Sequence, residues 1–229
     1  MTMMQLVFNL FLASLIGSGP AHAGRPHSTA ANDPSTYEAI TGDSADDDRT
    51  LWDSFYKNKS NAFGKEAVGF LKDHLHEVKK GHAFVPAMGE GRNAIFLAKS
   101  GFKVDGNDLS EIAVDRALDT AKLQKVEIKG IVADLTDYKY PENYYDLVMV
   151  SLFYMGELIP KFKKSVKHGG YIMFYEKLDT GKPAAGGSPD DFLVRSQDLK
   201  NALKDFDIKI FKEYKDHDVD VVGVLARKL

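Results

Sequence analysis

The chain has 229 residues, 44% hydrophobic and 28% charged, the balance of a globular protein and the length of one domain with an appendage. Thirty Lys and Arg against 33 Asp and Glu leave a formal charge of −3, so no summed positive field holds the chain on nucleic acid, and no nucleic-acid partner is expected. The absence of cysteine excludes disulfides, thiolate nucleophiles, iron–sulfur clusters, Cys-ligated zinc and an acylated-cysteine anchor.

Residues 1–23 read MTMMQLVFNLFLASLIGSGPAHA, with an apolar core at 6–16, breakers at Gly17, Gly19 and Pro20, and a small-residue end at Ala21-His22-Ala23. This resembles a secretory signal cleaved after Ala23 and predicts export, periplasmic or secreted; a start assigned too far upstream would instead leave a cytoplasmic protein. The 11-residue core is short of the roughly 20 residues of a spanning helix, so no stable membrane span is expected. Residues 24–49 are polar, acidic and nearly free of aliphatic side chains, the composition of a flexible tether. Its acidic run, Asp43 with Asp46, Asp47 and Asp48, reads as a solvated segment rather than a cation site.

Residues 50–229 form the expected folded domain. Ala67, Phe70, Leu71, Leu75 and Val78 recur mostly at spacings of three and four, which predicts a helix closed by Lys79-Lys80-Gly81. A strand at 82–87, a glycine turn, a helix through Ala94 to Ala98, a strand at 102–107 and a helix at 110–123 follow. Further strands are expected at 126–133, 145–151 and 170–176, with a helix near 156–167. After an irregular, Gly- and Pro-rich segment at 177–191 come a helix at 196–206, with Ser196 as candidate N-cap, and two closely joined strands. The short connection requires those strands to pair antiparallel. The fold class is therefore α/β, a mainly parallel sheet covered on both faces and ending in an antiparallel hairpin.

The first strand runs into Met88-Gly89-Glu90-Gly91-Arg92-Asn93-Ala94, where glycines permit a sharp turn and the next helix offers free N–H groups to a polar or anionic ligand. Asp108 follows Gly91 by 17 positions, about the spacing at which a carboxylate at the end of the second strand reaches the hydroxyls of a ribose. An adenosine-type ligand is implied. Asp134 ends the third strand region, and Asp146 opens the fourth.

These features together resemble a class I S-adenosylmethionine-dependent methyltransferase, with a Rossmann-like seven-stranded sandwich. The likeness is to the small-molecule methyltransferases of the tellurite-resistance and thiopurine type, carried by GEGRNAIFLAKSGFKVDGNDLS and the later ADLT, and it extends over roughly 52–229. It implies S-adenosylmethionine as cofactor. It places Gly89 and Gly91 under the methionine part, Arg92 near its carboxylate, Asp108 with Leu109 at the ribose, Asp134 and Leu135 around the adenine, and Ser151 beside the sulfonium. Trp52, Phe55 and Tyr56 look like the family's N-terminal lid, and the segment Phe153-Tyr154-Met155 would face the acceptor, with Tyr154 as the candidate for orienting it.

Two positions depart from the family pattern. Val85 and Ala87 stand where an acidic residue and the first glycine are usual, so the cofactor ammonium loses its customary partner and Ala87 fits only if its φ stays negative. Methyl transfer from a sulfonium requires alignment more than a base, so the acceptor implied is a small soft nucleophile, a thiol or chalcogen species, bound by a monomer or homodimer. The histidines show no metal-ligand spacing, and no metal is expected. Two other readings stand beside this one, a non-catalytic protein that binds S-adenosylmethionine and an NAD-type oxidoreductase.

Overall fold

The structure, a computed structural model, describes residues 45–181 and 193–229. The expected export signal and most of the expected tether lie outside the described residues, as does most of the irregular segment after the fifth strand. Seven strands form one sheet: β1 His82–Val85, β2 Lys103–Asp108, β3 Lys129–Val132, β4 Tyr145–Ser151, β5 Val166–Lys177, β6 Phe206–Asp216 and β7 Val219–Lys228. Their order is β3-β2-β1-β4-β5-β7-β6. The first five pair in parallel, whereas β7 runs antiparallel between β5 and β6. This is the expected mainly parallel sheet with an antiparallel end.

The described helices are α1 Ala45–Asn58, α2 Gly69–His74, α3 Arg92–Lys99, α4 Glu111–Leu123, α5 Ile159–Ser165 and α6 Ser196–Ala202. Alternate residues of the central strands supply the two faces. Ala83, Val85, Leu147, Met149 and Met173 meet α2, α3 and α4, while Phe84, Val148, Val150, Ile172 and Phe174 meet α5 and α6. A strand buried on both sides carries no polar alternation, which is why YDLVMVS reads as a nearly continuous apolar run. Helix α1 adds an aromatic cap, with Phe55 and Tyr56 packed on Ala113 of α4. No described helix is long and apolar enough to cross a membrane.

Several boundaries differ from expectation. The helix expected over 67–78 is the six-residue α2 followed by a 3-10 turn at Leu75–Glu77. Helix α1 begins at Ala45, inside the segment read as tether. Ser196 is the first residue of α6 rather than its N-cap, a place taken by Arg195 without a side-chain cap. The β6–β7 turn is made by His217 and Asp218, both left-handed at φ 47° and 67°, the backbone that matches the twist of two paired strands.

Candidate active site

Strand order reverses beside β1, with β2 on one side and β4 on the other, and the crevice beyond the carboxyl ends of these strands is where an open α/β sheet binds ligands. A cavity of about 260 Å3 lies there. Its walls come from the loops after β1 (Ala87, Met88, Gly89, Glu90), β2 (Asp108, Leu109), β3 (Ala133 to Thr136) and β4 (Ser151, Leu152, Phe153, Met155). Arg92 and Asn93 of α3, Asp48, Trp52 and Tyr56 of α1, and Phe63 and Gly64 complete it.

The β1 turn is held by main-chain bonds. Met88 donates its N–H to Asn107 (2.8 Å), and Gly91 donates to Met88 (3.0 Å). Gly89, at φ +55°, donates its N–H to Asp108 Oδ2 at 2.8 Å, and Ser110 donates to Oδ1 at 3.0 Å. Asp108 thus ties the β1 turn to the end of β2. Burial pushes its carboxyl up to about 6, against the N–H groups of Ser110, Gly89 and Leu109 that favour the ion. A Cβ at Gly89 would come within 2.8 Å of the Tyr56 hydroxyl, so only glycine allows the aromatic cap to close over the turn.

Gly91 occupies the N-cap of α3 at φ +83° and does not line the cavity; its missing Cβ lets α3 approach Ala117 of α4. Ala87 lines the cavity but sits at φ +46°, which overturns the expected negative φ. A left-handed L-residue costs roughly 1–2 kcal/mol, against about 0.5–1 kcal/mol for the added chain entropy of glycine. Ala87→Gly is therefore expected to raise stability by up to about 1 kcal/mol in urea titration, and a loss of stability would contradict the strain.

Arg92 is mostly buried, and its guanidinium donates to the Phe63 carbonyl, so in this structure it fastens the segment after α1 to the cavity wall. Burial lowers its proton affinity, while Tyr175, Tyr56 and Asp216 favour the cation. Its terminus also lies at the cavity wall, and no carboxylate stands within ion-pairing distance among the described residues. The Ser151 hydroxyl accepts from Asn93 Nδ2 at 2.8 Å, and Asn93 Oδ1 accepts the Val68 N–H at 3.1 Å. Asp134 accepts from the N–H and hydroxyl of Thr136 at 2.7 and 2.8 Å, which shapes the β3 loop.

Most of the expected site residues are brought together: Ala87, Gly89, Arg92, Asp108, Leu109, Asp134, Leu135, Ser151, Trp52, Tyr56 and Phe153 all line the cavity. Tyr154 does not: after the left-handed Leu152 (φ +53°), Phe153, Tyr154 and Met155 all pack against the α5 side of the sheet, and of the three only Phe153 and Met155 also line the cavity. Burial, Asp198 and Glu176 raise its hydroxyl's proton affinity, and its role in orienting an acceptor is withdrawn on geometry.

Other functional contacts escaped the sequence reading. Glu90 accepts the Ala62 N–H (3.1 Å) and pairs with Arg116 (3.2 Å), whose guanidinium also donates to the Tyr56 carbonyl. Asp53 accepts from the Ser110 hydroxyl and from the Ile112 N–H (3.3 Å), docking α1 on the start of α4. Among the described residues no group of three or more His, Cys, Asp or Glu is placed to hold a metal ion.

Residues 86–170 match the methyltransferase-domain family. The chain is 24% identical over 192 residues to the probable S-adenosyl-L-methionine-dependent methyltransferase TehB of Haemophilus influenzae, covering 79% of this chain and 66% of that protein. It is 22% identical over 180 residues to hemagglutinin 1 of Eikenella corrodens, covering 73% of this chain and 59% of that protein. The chain thus spans less than two thirds of these curated relatives. Among solved structures, TehB of H. influenzae superposes with a TM-score of 0.62 at 17% identity over 78% of this chain and 67% of that one. The magnesium protoporphyrin IX methyltransferase of Synechocystis PCC 6803, with S-adenosylhomocysteine bound, gives 0.62 at 17% identity over 81% of this chain and 99% of that one. Sheet order and site position agree with the methyltransferase-domain match over residues 86–170, and the fold is the one these solved methyltransferase structures share.

Proposed function

We propose that the chain binds S-adenosylmethionine in this cavity and transfers its methyl group to a small soft nucleophile, a thiol or chalcogen species. The observation that carries the reading is the Asp108 carboxylate, held by the Gly89 and Ser110 N–H groups between the ends of β1 and β2, at the wall of a cavity that opens at the sheet's switch point. The residues present suit the cofactor. Each Asp108 oxygen keeps a lone pair for a ribose hydroxyl, and Leu109, Ala133 and Leu135 offer apolar edges to a base. The Arg92 guanidinium and the Ser151–Asn93 pair present polar groups to the amino-acid end.

Bound there, S-adenosylmethionine would supply a methyl group already activated by its sulfonium sulfur, with a neutral thioether as the leaving group. The chain contributes alignment and exclusion of water. Trp52, Tyr56, Phe63, Leu152, Phe153 and Met155 form a largely apolar wall, which desolvates an anionic nucleophile. That wall favours an acceptor that ionises on its own near neutral pH over an alcohol or amine that needs proton removal.

Incubation of the full chain with methyl-labelled S-adenosylmethionine and thiophenol, phenol or aniline separates these classes. Label is expected in the thioether from thiophenol, at a rate at least 100-fold above that for phenol or aniline. Preferential labelling of either of the latter would overturn the soft-acceptor reading.

A further inference from the structure

Glu176, near the end of β5, has a fully buried carboxyl with no ion-pair partner among the described residues. Its Oε2 accepts the Phe153 N–H at 2.9 Å, whereas Oε1 has no hydrogen-bond partner there. Such a group is costly, since a buried polar atom without a partner has given up its hydration for nothing, and an apolar side chain of similar size would avoid the loss. Nothing in the methyl-transfer account above uses it.

Its position explains what it holds. The β4–β5 ladder ends at the Ser151 and Tyr175 pair, and the next residue, Leu152, still donates its N–H to the Tyr175 carbonyl at 2.9 Å. Leu152 then turns left-handed at φ +53°, a conformation a branched side chain adopts only when its surroundings impose it. The following N–H, that of Phe153, finds the Glu176 carboxyl instead of a main-chain acceptor. Leu152 and Phe153 both line the cavity. Burial raises the proton affinity of Glu176 well above the ordinary carboxyl range, and the Phe153 and Leu152 N–H groups oppose that rise.

We infer that Glu176 is a positioning residue for the acceptor: its buried carboxyl clamps the strained Leu152–Phe153 turn and thereby sets the wall against which the acceptor lies. The assignment of that wall to the acceptor rests on the methyltransferase reading above; the clamp itself does not. Glu176 touches neither acceptor nor cofactor. It acts through the Phe153 main chain, so its loss is felt in acceptor affinity rather than in cofactor affinity.

The test compares the full wild-type chain with Glu176→Leu and Glu176→Gln in three measurements: amide hydrogen exchange at Phe153, calorimetric affinity for S-adenosylhomocysteine, and KM and kcat for thiophenol. For Glu176→Leu the expected result is at least tenfold faster exchange at Phe153, a Kd for S-adenosylhomocysteine within twofold of wild type, and a KM for thiophenol raised at least tenfold with kcat within threefold. Glu176→Gln keeps an acceptor oxygen for the Phe153 N–H and restores both exchange and KM to within threefold. Unchanged exchange and KM in Glu176→Leu would overturn the proposal, as would a parallel loss of cofactor affinity. Should Glu176→Leu not fold, Glu176→Gln decides: a tenfold rise in its KM with the Phe153 amide still protected would equally overturn it. Absence of thioether product from wild type would instead count against the soft-acceptor reading, and the exchange measurement would still decide the clamp.

Discussion

Asp108→Ala is expected to weaken S-adenosylhomocysteine binding at least tenfold, about 1.4 kcal/mol, without unfolding the protein. The carboxylate is the acceptor that both shapes the β1 turn and remains open to ribose hydroxyls, and hydrogen bonds to a charged group are worth about 1.5–3 kcal/mol. Two opposing effects govern stability. The substitution leaves the Gly89 and Ser110 N–H groups without their acceptor, at roughly 1–3 kcal/mol each, but removes a carboxyl whose ionisation is disfavoured by burial. At pH 8 the two largely offset, so calorimetric Kd falls in strength while the urea midpoint moves little. Loss of affinity only in proportion to loss of folded protein would contradict this assignment.

The same carboxyl gives binding and stability opposite pH dependences. Folded Asp108 titrates at about 6, above its ordinary value of 3.8, so the folded state holds the proton more tightly than the unfolded chain. Its contribution to stability is therefore fully present below pH 3.8 and is lost as pH rises through about 6. Cofactor affinity runs the other way, because the ionised form accepts hydroxyl hydrogen bonds best, and Kd is expected to tighten between pH 5 and pH 7. A flat Kd across that window in wild type, or an equally steep one in Asp108→Ala, would assign the titration elsewhere.

Gly91→Ala is expected to cost about 3 kcal/mol, the largest stability effect of any single change in the turn. Its φ of +83° is disfavoured for an L-residue by roughly 1–2 kcal/mol, offset in part by the about 0.5–1 kcal/mol of chain entropy that glycine costs, and its new Cβ would lie 2.7 Å from the Ala117 Cβ, a contact between two helices that relaxes only if α3 and α4 separate. Overpacking of that kind adds about 1–3 kcal/mol. For a chain of this size the Tm falls by about 2–4 °C per kcal/mol, close to 10 °C in all. The double variant Gly91→Ala with Ala117→Gly separates the two causes. It is expected to recover the packing part and leave the backbone strain, and a single variant as stable as wild type would contradict both.

Much of this arrangement was legible in the residues because it depends on local pattern. The apolar run YDLVMVS marks a strand buried on both faces, the glycines of GEGRNA mark a turn, and Asp108 at the end of its strand marks a carboxylate that the structure puts at the cavity wall. What escaped depends on long-range pairing or on a single dihedral. Glu90, Asn93, Arg116 and Asp53 act by tying α1 and its loop to α3, α4 and β4, partners 25 to 60 positions away that no spacing reveals. Ala87 carries no mark of its left-handed backbone. Of the segment expected to face the acceptor, Phe153 and Met155 line the cavity and Tyr154 does not, and nothing in the residues marks the left-handed backbone of Leu152 just before them.

The most direct test of the account is a calorimetric titration of the full chain, in separate experiments, with S-adenosylhomocysteine, S-adenosylmethionine and NADH. The account predicts micromolar affinity for the first two and none for NADH. Binding of NADH alone, or of none of the three, would contradict it.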